Sequence, residues 1–293
     1  MAHLRLWKRG DLDFVADSVD REGWRHLKRD VERCWRFEPD GCFMAEVDGK
    51  RVGHVFSVCY GQVGWIGLLI VNPESRGRGI GAALMQRAID YLRERGVETI
   101  RLEAVEKAVP LYRRLGFGEE FLSLRFSRRL RLGQKELRSL GGGDKSNISD
   151  VKEGDIDQLA SFDSQYFGVS RLRVLRSLCQ DEPGRNCFVA RRGRGILGYV
   201  MSRRIRDGFW VGPWVCDNSE TAEVLLRTCV DAVGREGLVE LRLGMPDSNK
   251  AGVGLMGKFG FELVGKSLRM VWGKRKYEGL VSGVYGIGGA EKG

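Results

Sequence analysis

Apolar positions along this 293-residue chain fall into two similar successions of short runs. In the first, residues 11–36 carry apolar side chains at helical spacing, with Trp24 and Trp35 among them, and predict a helix. Cys42–Val47 and Val52–Tyr60 read as short strands around Asp48-Gly49-Lys50-Arg51, a hairpin signal. Trp65–Val71 is unbroken apolar sequence, the pattern of a central strand covered on both faces. From Gly81 to Arg95 the residues Leu84, Met85, Ala88, Ile89 and Leu92 share one helical face. Thr99–Val105 predicts a further strand, Pro110–Leu115 a short helix closed by Gly116, and Phe121–Phe126 a final strand.

The later half repeats this order. Asn186–Ala190 and Ile196–Arg203 flank the turn Arg192-Gly193-Arg194-Gly195, and Phe209–Val215 gives another strand. Thr221–Val233 is helical, Val239–Leu243 a strand and Lys250–Phe259 a helix. Leu111-Tyr112-Arg113-Arg114-Leu115-Gly116-Phe117 is echoed by Leu255-Met256-Gly257-Lys258-Phe259-Gly260-Phe261. The expected fold class is therefore α/β, with mixed sheets, in two similar domains. Between them Ser139–Ser146 holds three successive glycines, which cannot hold a regular element cheaply. The expected division is a first domain over 1–138, a linker over 139–147 and a second domain over 148–293. A chain of this length suits two domains.

Composition narrows the setting. No run of about 18 apolar residues occurs, so no membrane span is expected. The first residues, Met1-Ala2-His3-Leu4-Arg5, do not resemble a signal peptide. Seven cysteines lie scattered without a Cys-x-x-Cys pair, which fits reduced thiols in a cytoplasmic protein better than disulfides or a metal site. The formal charge of +10 raises nucleic-acid binding as a reading. Most basic residues alternate with acids, however, and only Arg125–Arg138 is a dense basic run, so the surplus argues more for anionic small ligands.

One segment carries chemistry. Val71-Asn72-Pro73-Glu74-Ser75-Arg76-Gly77-Arg78-Gly79-Ile80-Gly81-Ala82 joins the predicted central strand to a helix. Its glycines let the backbone turn tightly with N–H groups towards an anion, and the helix N-terminus adds partial positive charge, as a pyrophosphate requires. Neither the dinucleotide spacing nor a P-loop ending is present.

Taken with Pro110-Leu111-Tyr112-Arg113-Arg114-Leu115-Gly116-Phe117, this segment resembles the GNAT superfamily of acyl-CoA N-acyltransferases, over about residues 3–126. Arg76, Gly79 and Gly81 stand at that family's pyrophosphate-motif positions. Gly23-Trp24, Glu38-Pro39-Asp40-Gly41, Phe167-Gly168, Gly212-Pro213 and Arg269-Met270 resemble its tandem, YitH-type branch, in which the second GNAT-like domain is degenerate. The resemblance implies direct acetyl transfer from acetyl-CoA to an amine. It implies that Leu69, Ile70 and Val71 hold the pantetheine and polarise the thioester. It implies cofactor contacts from Arg76, Gly77, Arg78, Gly79, Ile80, Gly81 and Ala82, with Tyr112 as general acid.

No Glu or His lies on the Trp65–Val71 strand, so Glu103 and His54, on strands beside it, are the candidate bases. Trp24 is a candidate for the acceptor pocket, as are Asp163, Arg171 and Trp214 of the second half. That half is expected to lack cofactor. Asp217-Asn218-Ser219-Glu220-Thr221-Ala222 replaces the arginine–glycine loop, and Met256 replaces Tyr112. Two other readings remain open: a non-catalytic acetyl-CoA-binding regulator and a nucleic-acid-binding protein.

Overall fold

The structure is a computed structural model and describes residues 2–130, 147–179, 184–233 and 239–293. Residues 139–146 of the expected linker lie outside the described residues. The strands, in chain order, are β1 (His3–Leu6), β2 (Cys42–Val47), β3 (Lys50–Tyr60), β4 (Val63–Val71), β5 (Thr99–Ala104), β6 (Gly118–Leu130), β7 (Ile148–Asp150), β8 (Asn186–Arg192), β9 (Gly195–Ile205), β10 (Gly208–Cys216), β11 (Val239–Pro246), β12 (Glu262–Gly273) and β13 (Val284–Gly286). The helices are α1 (Leu12–Arg21), α2 (Lys28–Phe37), α3 (Ile80–Glu94), α4 (Val109–Arg114), α5 (Ile156–Phe167), α6 (Leu172–Cys179), α7 (Ser219–Val233) and α8 (Lys250–Lys258).

These elements form two compact units that do not coincide with the linear halves expected from the sequence. Unit 1 comprises Met1–Glu120, Leu268–Tyr277 and Ala290–Gly293, and unit 2 comprises Phe121–Ser267 and Glu278–Gly289. The cause is strand pairing. Leu268–Gly273 of β12 pairs antiparallel with β5, while Ser123–Leu130 of β6 pairs antiparallel with β11.

In unit 1 the strands follow the order β1, β2, β3, β4, β5, then the unit-1 part of β12. The hairpin between β2 and β3 turns on Asp48 and Gly49, at φ 49° and 72°. Two successive positive values are what the right-handed twist of the strands demands of a two-residue turn. The expected single helix over 11–36 is two. Gly23 and Arg25, at φ 71° and 60°, take left-handed backbone that no helix continues through. α3 follows its periodicity: Ile80, Leu84, Met85, Ala88, Ile89 and Leu92 are buried against Ala45, Val55 and Ile66 of the sheet. It ends before Gly96, which has φ 77°.

The other face of this sheet carries α1 and α2. His54, next to the α3-facing Val55, points the opposite way. It meets the rings of Trp7 and Phe14 and bonds Ser18 of α1. Trp65 and Gly67 alternate with the α3-facing Ile66 and so belong to this second face.

Unit 2 repeats the plan in the order β6, β11, β10, β9, β8, β7, with α7 filling the place of α3. The repetition extends to single side chains. Tyr199 of β9 donates a 2.5 Å hydrogen bond to Asp163 of α5, where unit 1 has His54 on β3 bonded to Ser18 of α1. In each unit a buried polar pair pins the first helix to the second strand of the hairpin.

Candidate active site

The loop after β4 adopts the conformation its glycines permit. Gly77 and Gly79 both have φ 77°, and Gly79 is the N-cap of α3. A Cβ added at either position would meet no protein atom within 4 Å. The glycine requirement there is conformational, and the space above the loop is open to a ligand. The first intrahelical bond runs from the Ala83 N–H to the Gly79 carbonyl at 3.0 Å. The amides of Ile80, Gly81 and Ala82 precede it, at the positive end of the helix dipole. This cradle suits a pyrophosphate. Arg78 is exposed beside it, whereas Arg76 turns back, with Nε 2.9 Å from the Val71 carbonyl and Nη2 2.6 Å from Glu22. Lys107 reaches the same Glu22 at 2.7 Å, so the end of α1, the loop and the segment after β5 are tied at one carboxylate.

The loop stands at the end of a cleft within the sheet. β4 and β5 run parallel and pair only at Val63–Thr99, Gly64–Ile100 and Trp65–Arg101. Beyond Trp65 they part. Leu68 takes φ 52°, and the register of β3 against β4 shifts between His54 and Phe56. Such a bulge bends the strand and leaves its outer edge without a ladder partner. The backbone of Leu69, Ile70 and Val71 therefore borders the opening, as a thioester-bearing arm laid along β4 would need.

Tyr112 lies on α4, whose Leu111 sits where a Cβ added at Gly81 of the cradle would meet its side chain at 3.5 Å. It is buried with Phe117 at a 5.9 Å ring separation. Burial pushes its phenol above the usual tyrosine range, so it holds its proton throughout the physiological window.

The two sequence-derived base candidates carry structural bonds. Glu103 faces Arg269 directly across the β5–β12 pair and accepts from its Nε at 2.6 Å. Arg269 in turn stacks over Trp65, 4.4 Å from the ring centroid. His54 is fully buried with Nε2 2.5 Å from Ser18 Oγ, and burial lowers its pKa to about 3. An unfolded histidine protonates near ~6.5, so the folded state alone stays neutral below that value. His54 thus contributes stability that is complete above pH ~6.5 and falls as pH drops towards ~3, by on the order of 1.4 kcal/mol per unit. We expect His54→Gln to remove that slope. Denaturant midpoints between pH 4 and 7 measure it, and an unchanged slope would refute the assignment.

Trp24 is half-buried in the α1–α2 loop, on the sheet face opposite α3. The three second-half candidates lie inside unit 2 and not on an open surface. Arg171 holds Asp163 through two bonds of 2.8 and 2.9 Å, and Trp214 packs on Tyr285 at 5.2 Å. From the basic run, Arg125 bonds Ser267 at 2.8 Å and Arg128 bonds the Phe259 carbonyl, both within unit 2.

Unit 2 has the counterpart of the cleft but fills it with its own chain. β10 and β11 pair in parallel only from Gly208 to Trp210. Further along, β13 pairs with Trp214 and Val215 of β10, and the Ile287 N–H reaches the Gly244 carbonyl on β11 at 2.8 Å. At the head of α7 the Thr221 amide already donates to Asn218 Oδ1 at 2.8 Å. Cleft and helix end are both satisfied from within. Among the described residues no group of three or more His, Cys, Asp or Glu could hold a metal ion, and no helix is long and apolar enough to cross a membrane.

Comparison with known proteins agrees with this geometry. The pattern of the acetyltransferase (GNAT) family matches residues 11–117, and that of a second acetyltransferase (GNAT) domain matches 159–286. A holothin acyltransferase of Pseudoalteromonas sp. is 24% identical over 274 residues, 93% of this chain and 87% of that protein. An uncharacterized N-acetyltransferase of Archaeoglobus fulgidus is 41% identical over 118 residues, 34% of this chain and 79% of that protein. A solved Pyrococcus horikoshii structure assigned to the acetyltransferases superposes with a TM-score of 0.82 at 25% identity, covering 100% of this chain and 96% of the other.

Proposed function

We propose that this chain, which belongs to the acetyltransferase (GNAT) family, transfers an acetyl group from acetyl-CoA directly to an amine. The observation that carries the reading is the cleft between β4 and β5 ending in the left-handed Gly79 turn at the head of α3. Acyl-CoA supplies the activated acyl group. The chain's own part is to hold the pyrophosphate on the amides of Ile80–Ala82 and to lay the pantetheine along Leu69–Val71. A main-chain N–H at the bulge polarises the thioester carbonyl. Tyr112, kept protonated by burial, gives its proton to the departing sulfur. Transfer in the presence of amines of several classes, with the product identified by mass, tests the reading.

One cofactor per chain is the corresponding expectation, because β13 and Asn218 fill the equivalent places in unit 2. Calorimetric titration with acetyl-CoA should give a stoichiometry near one, and two equivalent sites would contradict it. The seven cysteines, all free thiols, support a reducing, cytoplasmic setting.

A further inference from the structure

We infer that Glu291 is the general base of the reaction, brought to β4 by the segment Ala290–Lys292 in place of a carboxylate on the strand itself. The inference rests on the acetyl-transfer reading above. An amine near pKa ~10.4 must lose a proton before it attacks, and β4 (Val63–Val71) offers no titratable side chain to take it. Glu103 is held on β5 by Arg269 of β12, and His54 of β3 faces Ser18 of α1, so neither takes the place of a β4 side chain.

The strand instead has a vacancy that another segment enters. A methyl group on Gly67 would overlap the Cα of Glu291 and lie 2.9 Å from both its Cβ and its carbonyl oxygen. Gly67 is the residue before the Leu68 bulge, on the face opposite α3, so Glu291 sits where a β4 side chain would otherwise project. The segment is fixed on both sides. Trp65 Nε1 donates to the Ala290 carbonyl at 2.9 Å, and the Tyr60 hydroxyl donates to the Lys292 carbonyl at 3.0 Å. Trp65 is itself held beneath Arg269.

The surroundings suit a proton acceptor. Glu291 and Lys292 are each 2% exposed. The Lys292 ammonium is bonded to the Glu291 carboxylate. His26 of the α1–α2 loop places Nε2 3.2 Å from Glu291 Oε2. Its Nδ1 lies 3.1 Å from the Trp24 carbonyl, which accepts from it, so Nε2 is the nitrogen that faces the carboxylate. His26 gives the collected proton a way onward.

In the step itself, the ammonium form of the acceptor loses a proton to Glu291, directly or through one water. The amine nitrogen bonds the acyl carbon and the carbon–sulfur bond breaks. The thiolate takes the proton of Tyr112, the nitrogen's second proton restores Tyr112 as the amide forms, and Glu291 passes the first proton to solvent, so one proton is released per turnover.

The test is the pH dependence of kcat/KM for the wild type and Glu291→Gln, with the amine found by the screen above. At neutral pH the variant should lose about 100-fold. The deficit should shrink steadily as pH approaches the amine's own pKa, where a base is no longer needed, while acetyl-CoA affinity stays unchanged. Glu291→Asp, which keeps the carboxylate, should retain the pH profile with a smaller loss and serves if the glutamine variant does not fold. A loss of equal size at every pH, or full activity, would overturn the inference. Absence of transfer to any amine by the wild type would instead overturn the acetyltransferase reading beneath it.

Discussion

Gly79→Val should weaken acetyl-CoA binding by about 100-fold or more, equivalent to roughly 2.7 kcal/mol. Gly79 holds φ 77° as the N-cap of α3, and a β-branched residue there is strained by on the order of 1–3 kcal/mol. The replacement would either straighten the loop or place two methyl groups in the space kept open above it. Both outcomes withdraw the Ile80–Ala82 amides from the pyrophosphate. Because no protein atom lies within 4 Å of the new Cβ, the fold itself should survive, and thermal stability should change far less than affinity. Calorimetric titration of the variant checks this. Wild-type affinity would mean that the cofactor is held elsewhere.

Tyr112→Phe should lower kcat by on the order of 10- to 100-fold while leaving acetyl-CoA affinity nearly unchanged. The hydroxyl is the only difference, and the ring's packing against Phe117 is retained. If proton donation to the leaving sulfur limits the rate, the whole loss appears in kcat. A purely structural tyrosine would instead lose stability with little effect on turnover. Single-turnover thiol release alongside a melting curve distinguishes the two.

Much of this arrangement was legible in the sequence, because the decisive signals were local. Trp65–Val71 announced a central strand by being continuously apolar, and the spacing of Leu84, Met85, Ala88, Ile89 and Leu92 announced α3. The glycines at 77 and 79 announced a backbone only glycine adopts readily. What was not legible depended on distant pairing. Nothing in Leu268–Gly273 says that it completes the first sheet beside β5 rather than closing its own domain. The break after α1 turns on Arg25 at φ 60°, and arginine gives no sign of left-handed backbone.

The stretch from Val281 onward is rich in glycine and is assigned no element in the sequence, yet it supplies β13 to unit 2 and Glu291 to unit 1. A signal was present on the receiving strands. Gly67 and Gly212 are glycines within strands, and a side chain at either would strike this stretch, at Glu291 and at the Ile287 carbonyl respectively. The same long-range packing decides the candidate residues. Glu103 and Asp163 look like available carboxylates in the sequence, and both are bound to arginines in the structure.

The most direct test of the account is amine-dependent thiol release from acetyl-CoA. The purified chain would be offered amino acids, polyamines, peptide N-termini and lysine-bearing proteins in turn. The account predicts that at least one class releases coenzyme A mole for mole with an N-acetylated product, and that Tyr112→Phe slows both together. Tight acetyl-CoA binding with no amine-dependent release from any class would contradict it and make the chain a binding protein.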